Sequence, residues 1–200
     1  LGFQSLEVPA RASEPFMLGA DLSWIPQQED EGRCFSVGGT NTEIFSLMRT
    51  NGFNWVRLRL FHTPTNEYGY SKKGYCDLPH TIAAAQRAKA AGFKFLLDFH
   101  YSDNWADPGK QFRPRAWRDL DDAALVMAVG HYTRDSLMAF QAANVLPDMV
   151  QIGNEISNGF LWREGETNHL ANWTAFGRRL RAGIAAVRAV DPSIRTMIHL

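Results

Sequence analysis

Met149-Val150-Gln151-Ile152-Gly153-Asn154-Glu155 reads as a buried strand that ends in a functional turn. Met149, Val150 and Ile152 are apolar, Pro147-Asp148 marks the approach, and Ile156-Ser157-Asn158-Gly159 follows as a turn-prone loop. An acid at the carboxyl end of a buried parallel strand is costly to desolvate unless it is paired or put to use. In a βα barrel the catalytic groups sit at that end of the strands. Glu155 is therefore the leading candidate for a catalytic carboxyl.

The same grammar repeats on both sides of this stretch. Residues 16–22, 55–61, 94–100 and 196–200 have strand character, as do 149–155. Helical patterns lie between them. Thr40 with Glu43 matches a capping box, and Asn51-Gly52 closes the helix that follows. Pro79 opens an Ala-rich helix that ends at Gly92. Further helices are expected from Asp121 to Ala143 and from Asn168 to Val190. Trp24, Ile25 and Pro26 open a polar loop that runs through Gly39, and residues 1–15 read as a lead-in. Strands alternating with helices call for a parallel sheet with right-handed crossovers. An open dinucleotide-binding sheet would carry Gly-x-Gly-x-x-Gly, and a nucleotide-binding one a Walker-type loop; neither occurs. The long polar loops follow strands and the returns are short, which suits a (β/α)8 barrel. Residues 16–200 are then the N-terminal part of its catalytic domain.

Lysine plus arginine and aspartate plus glutamate each number 21, so the formal net charge is +0. That favours neither nucleic acid nor an anionic membrane as partner. No run reaches the ~18 apolar residues of a membrane span, and no secretory signal is visible at Leu1. The two cysteines, Cys34 and Cys76, are too few for a disulfide scaffold and lack metal-site spacing. One bridge and two free thiols both fit their placement in loops.

Side chains alternate along a strand, so Val56, Leu58 and Leu60 face the helices while Arg57 and Arg59 point into the barrel. Buried guanidinium needs carboxylate partners, and Asp21, Asp98 and Glu155 stand at matching heights. His100 shares a face with Asp98. Trp24, Trp105 and Trp162 fringe the same mouth; indole faces beside carboxylates suit sugar rings. Trp55, Trp117 and Trp173 are assigned to the core.

Four motifs occur in order: Gly-Ala-Asp-x-Ser at 19–23, Val-Arg-x-Arg at 56–59, Asp-x-His-Tyr-Ser-Asp-x-Trp-Ala-Asp-Pro-x-x-Gln at 98–111, and Gly-Asn-Glu at 153–155. Together they resemble glycoside hydrolase family 53, the arabinogalactan endo-β-1,4-galactanases. The resemblance implies a (β/α)8 barrel and retaining, endo-acting cleavage of β-1,4-galactan. It implies Glu155 as acid/base and Asn154 as the contact to the sugar 2-hydroxyl. Substrate-binding residues are then Asp103, Trp105, Asn154, His100, Arg59 and Trp24, with Arg57, Asp21 and Asp98 in support. Phe61 stands where the family often has Trp.

Retaining hydrolysis uses two carboxyl groups about 5–5.5 Å apart, and the family's nucleophile is a second glutamate on the seventh strand. A full barrel needs roughly 250 residues. The expectation is that this chain covers strands one to five and shows no turnover by itself. No cofactor is expected within it; calcium, which some members of the family bind, would be held beyond Leu200. The expected partner is a polysaccharide, and the expected enzyme a secreted, periplasmic or cell-surface monomer. Competing readings are a barrel glycanase acting on cellulose, mannan or xylan, a non-catalytic glycan-binding relative, and a metal hydrolase using Asp98, His100 and Glu155.

Overall fold

The computed structural model describes residues 15–163 and 173–200; the lead-in up to residue 14 and the expected helix start at Asn168 lie outside them. The chain opens with β1 (Gly19–Asp21), α1 (Ile25–Asp30), a two-stranded antiparallel hairpin of β2 (Ser36–Val37) and β3 (Thr40–Asn41), and α2 (Ile44–Thr50). Then come β4 (Trp55–Leu60), α3 (Leu78–Ala90), β5 (Lys94–Phe99), α4 (Asp122–Ala142), β6 (Met149–Ile152), α5 (Trp173–Val190) and β7 (Arg195–Met197). The main sheet runs β1-β4-β5-β6-β7 with every pairing parallel. Sequential parallel strands joined by helices make this the five-strand part of a (β/α)8 barrel.

The register follows from the alternation. Arg57 pairs with Asp21, Arg59 with Asp98, and Asp98 with Gln151, so one polar side chain from each strand meets the next on the inner face. Val56, Leu58 and Leu60 turn the other way into a continuous core with Phe95, Leu97, Phe99, Val150 and Ile152, closed by Ala84, Ala85 and Ala88 of α3 and Leu125, Val129, Leu137 and Phe140 of α4. Gly183 lets α5 lie directly on β6: a Cβ there would come within 3.0 Å of Ile152 Cγ2 and 3.1 Å of Tyr101 Oη.

Local capping departs from the sequence reading in instructive ways. Thr40 does not cap α2, because it is spent in the hairpin; Glu43 is itself the N-cap, and its carboxylate accepts the Ser46 N–H at 2.7 Å. The loop expected after Trp24 contains α1, whose start takes Pro26 because a first-turn N–H has no partner to lose. Asp77 and Asp121 cap α3 and α4 by accepting the N–H of His80 and Ala124. Trp55 and Trp117 are buried as assigned, but Trp173 is 62% exposed and belongs to the surface, not the core. Both cysteines are free, Cys34 exposed and Cys76 buried.

Candidate active site

The inner face converges on Arg57. Its Nη1 lies 2.8 Å from Asp21 Oδ2, and its Nη2 lies 2.7 Å from Asp98 Oδ2 and 2.6 Å from Asn154 Oδ1. Its Nε donates to Gln151 Oε1 at 3.3 Å. One planar fork thus ties the ends of four strands, a geometry that guanidinium offers and ammonium does not. Asp98 is fully buried and is shared: Gln151 Nε2 donates to Oδ1 at 2.6 Å, and His100 Nε2 lies 3.0 Å from Oδ2. Because His100 Nδ1 accepts the Ala106 N–H at 3.1 Å, the neutral ring carries its proton on Nε2, close to Asp98 but not aligned for a hydrogen bond to Oδ2.

Arg59 also points inward, beneath the aromatic rim. Its guanidinium carbon lies 3.8 Å from the Trp105 ring centroid and 4.7 Å from that of Trp24. Nη2 reaches Asp21 Oδ1 at 3.3 Å, while Nε and Nη1 find no hydrogen-bond acceptor among the described residues. The indole faces cover the cation where acceptors are lacking, which is the arrangement that cation–π attraction favours. Trp24 and Trp105 stand 5.7 Å apart and tilted by 46°, with Trp24 42% exposed. Burial pushes the Asp21 carboxyl up, but Arg59, the Ser23 hydroxyl and N–H, and Arg57 together outweigh it and hold it below the ordinary value of 3.8.

Beyond β6 the chain makes two left-handed steps, Gly153 at φ +82° and Glu155 at φ +50°. A Cβ on residue 153 would strike Ile156 Cγ2 at 2.7 Å, so only glycine fits. Glu155 pays a strain of about 1–3 kcal/mol for its conformation, of the kind stored at functional sites. Its carboxylate is half-buried and makes no hydrogen bond or ion pair with a described residue. It is not a partner of Arg57 or Arg59, contrary to the expectation that it would balance them; Gln151 and Asn154 occupy that place on β6. Asn154 is buried: Oδ1 also faces His199 Nδ1 at 2.9 Å, and Nδ2 gives one hydrogen to Ala106 O at 2.8 Å, leaving the other.

Asp103 lies at the edge of this centre with both oxygens engaged. Oδ1 accepts the Thr63 N–H at 2.9 Å; Oδ2 accepts the Arg115 N–H at 2.8 Å and the Asn66 side-chain amide. Burial pushes its carboxyl up, and the His62 side chain, the Arg115 N–H and Asn66 more than offset that, so it too sits below 3.8. A carboxyl depressed in the fold contributes stability that is complete above its unfolded value and is lost as pH falls through the folded one. Asp103→Asn is therefore expected to destabilise the protein by ~1–3 kcal/mol near neutral pH. In urea unfolding the gap between the two proteins should close as pH drops below 3.8. A gap of constant size across that window would contradict the assignment.

Asn66, Glu67 and Tyr68 from the β4 loop, Trp105, Phe112 and Arg115 from the β5 loop, and Trp162 wall a cleft of about 480 Å³. Trp162 is buried and meets Phe112 edge-on, so it lines this cleft instead of standing free at the mouth. Gln151, Gln111 and His199 join the site without having been singled out from the sequence. Gln151 had a signal, a polar residue at the inward position of a buried strand, and Gln111 had one as the last fixed residue of the motif that begins at Asp98; His199 had none. Among the described residues, no three His, Cys, Asp or Glu side chains gather in a way that could hold a metal ion, and no helix is long and apolar enough to cross a membrane.

A parallel βα sheet with an Asn-Glu turn, a buried arginine–carboxylate centre and an aromatic rim at the strands' carboxyl ends defines a (β/α)8 barrel of the glycoside hydrolase kind. The chain belongs to glycosyl hydrolase family 53, whose family model matches residues 17–200. It is 40% identical over 192 residues to an arabinogalactan endo-beta-1,4-galactanase of Cellvibrio japonicus, covering 93% of this chain and 50% of that protein. It is 37% identical to an endo-beta-1,4-galactanase of Bacillus subtilis, covering 94% of this chain and 42% of that one. The GH53 catalytic domain of Ignisphaera aggregans superposes with a TM-score of 0.85 at 44% identity, over 94% of this chain and 53% of that one. The chain thus spans about half the length of the curated relatives it matches.

Proposed function

We propose that this chain is the acid/base-bearing part of a retaining, endo-acting β-1,4-galactanase. The observation that carries the reading is Glu155: a carboxylate with no partner among the described residues, held in a strained turn directly after Asn154, at the mouth of a barrel of this family. Protonated Glu155 gives its proton to the glycosidic oxygen as a second glutamate, supplied from outside these residues, attacks the anomeric carbon. Glu155 then takes a proton from water as the glycosyl-enzyme bond breaks. Asn154 offers its remaining N–H to the 2-hydroxyl, and Trp24 and Trp105, propped on Arg59, offer apolar faces to sugar rings. The cleft of about 480 Å³ walled by Trp105, Phe112 and Trp162 offers room for a run of sugars beyond the one cleaved.

The proposal includes action outside the cell, since the substrate is a polymer too large to enter one, and as a monomer. It asks no cofactor of these residues; a calcium ion would belong to loops beyond them. The full-length protein should release short galacto-oligosaccharides from β-1,4-galactan with the β-configuration first formed at the new reducing end. Equal or faster turnover of cellulose, mannan or xylan would replace the substrate, and first-formed α-product would replace the mechanism.

A further inference from the structure

We propose that Gln111 is a positioning residue for Glu155, an inference that rests on Glu155 being the proton donor. Gln111 closes the long motif that begins at Asp98, and its side chain is almost wholly buried. Its Nε2 donates to Asn154 O at 2.6 Å and to Glu155 O at 3.2 Å, and it lies 3.1 Å from Asp107 O. The first two carbonyls belong to the two peptide planes that flank the Glu155 Cα. One amide thus grips both planes, and the angle between them is what φ and ψ of Glu155 describe.

That grip matters because nothing else among the described residues aims the carboxylate. The Glu155 side chain makes no bond to a described residue, so its direction follows from its backbone, and that backbone is left-handed in a residue that has a Cβ. The flanking N–H groups are pinned at a distance: Gly153 N donates to Phe99 O at 3.0 Å and Ile156 N to His199 O at 2.9 Å. Between those pins, the carbonyls of Asn154 and Glu155 share the Gln111 amide. Gln111 is itself anchored, since its own carbonyl accepts the Trp162 N–H at 2.7 Å, and the Asp107–Lys110 turn behind it is closed by hydrogen bonds of 3.0 and 2.9 Å. The strut therefore runs from the β5 loop, which also carries Trp105, to the turn that presents the acid. A group placed this way couples the substrate-holding loop to the reach of the proton donor, and a proton donor must lie within hydrogen-bond distance of the oxygen it serves.

The test uses the full-length enzyme with Gln111→Met, which keeps the volume and removes the donor, and Gln111→Ala as a second variant that admits water to the freed carbonyls. A misplacement of the order of an ångström costs on the order of 100-fold, so kcat on β-1,4-galactan should fall about 10- to 100-fold with KM little changed. Turnover of an aryl β-galactoside with a dinitrophenolate leaving group, which needs little acid help, should change far less. In the double variant with Glu155→Gln, removing Gln111 should add little to the loss that Glu155→Gln causes alone. A loss of equal size on both substrates, or losses that multiply in the double variant, would overturn the proposal, because a general packing role predicts both. Glu155→Gln alone is the reference: if it shows no leaving-group dependence, the proton-donor reading falls and takes this proposal with it. If it does show that dependence and the Gln111 variants do not, the donor stands and only the role of Gln111 is withdrawn.

Discussion

Glu155→Gln in the full-length enzyme is expected to abolish hydrolysis of unactivated β-1,4-galactan, a loss of at least the ~10²–10⁴-fold that a positioned acid supplies. The amide fits the same space and cannot release a proton. The loss should shrink on aryl galactosides with good leaving groups, whose glycosylation step needs little protonation. On those substrates the second step becomes limiting, and added azide, a nucleophile that needs no general base, should restore turnover by forming a β-galactosyl azide. Stability gives the control. Because the carboxylate has no partner among the described residues, the substitution should leave the unfolding free energy within about 0.5 kcal/mol of the parent's. Equal loss on both substrate types without azide rescue would mean that Glu155 does something other than proton transfer.

Arg57→Met should have the largest effect on stability of any single change in the site. The guanidinium serves Asp21, Asp98, Gln151 and Asn154 at once. Removing one partner of a buried ion pair leaves the other charge uncompensated, at a cost of about 3–5 kcal/mol. Here the stranded group is Asp98, which has no contact with solvent and keeps only Gln151 and His100 beside it. Lysine at position 57 should recover little, since one ammonium cannot span acceptors on three other strands. Adding Asp98→Asn to Arg57→Met should return part of the loss, because the second change removes the uncompensated charge. The surface network of Arg87 with Glu29 and Glu43 is the contrast: those groups are about a third or more exposed, and breaking one pair should cost ~0.2–1 kcal/mol. Urea midpoints of these variants decide the matter. A loss below about 1 kcal/mol for Arg57→Met would mean that the centre is solvated and that Arg57 is not its keystone.

The sequence by itself determined the order of the five parallel strands and the four helices between them, the inward pair Arg57 and Arg59, and the placement of Asp98 with His100, while α1 and the β2–β3 hairpin read as loop. All of these follow from short periodicities: a side chain two residues on along a strand shares its face, and apolar residues three or four apart share one helix side. The same rule applied to Gln151 would have found it. What periodicity could not supply was the caps, because Thr40 and Glu43 are equally good in the text and only the hairpin decides between them. Nor could it show that Trp173 lies on the surface. The site's finer order belongs to tertiary structure alone. Gln111 reaches Asn154 across 43 positions of sequence and His199 reaches it across 45, and no local pattern encodes contacts at such separation. The division of labour between the acids was equally invisible. Asp21 and Asp98 are bound to arginine and Asp103 is clasped by two loops, while Glu155 has no partner among the described residues. In the sequence all four are acids near strand ends; their burial and their distances to donors set them apart, and those exist only once the chain has folded.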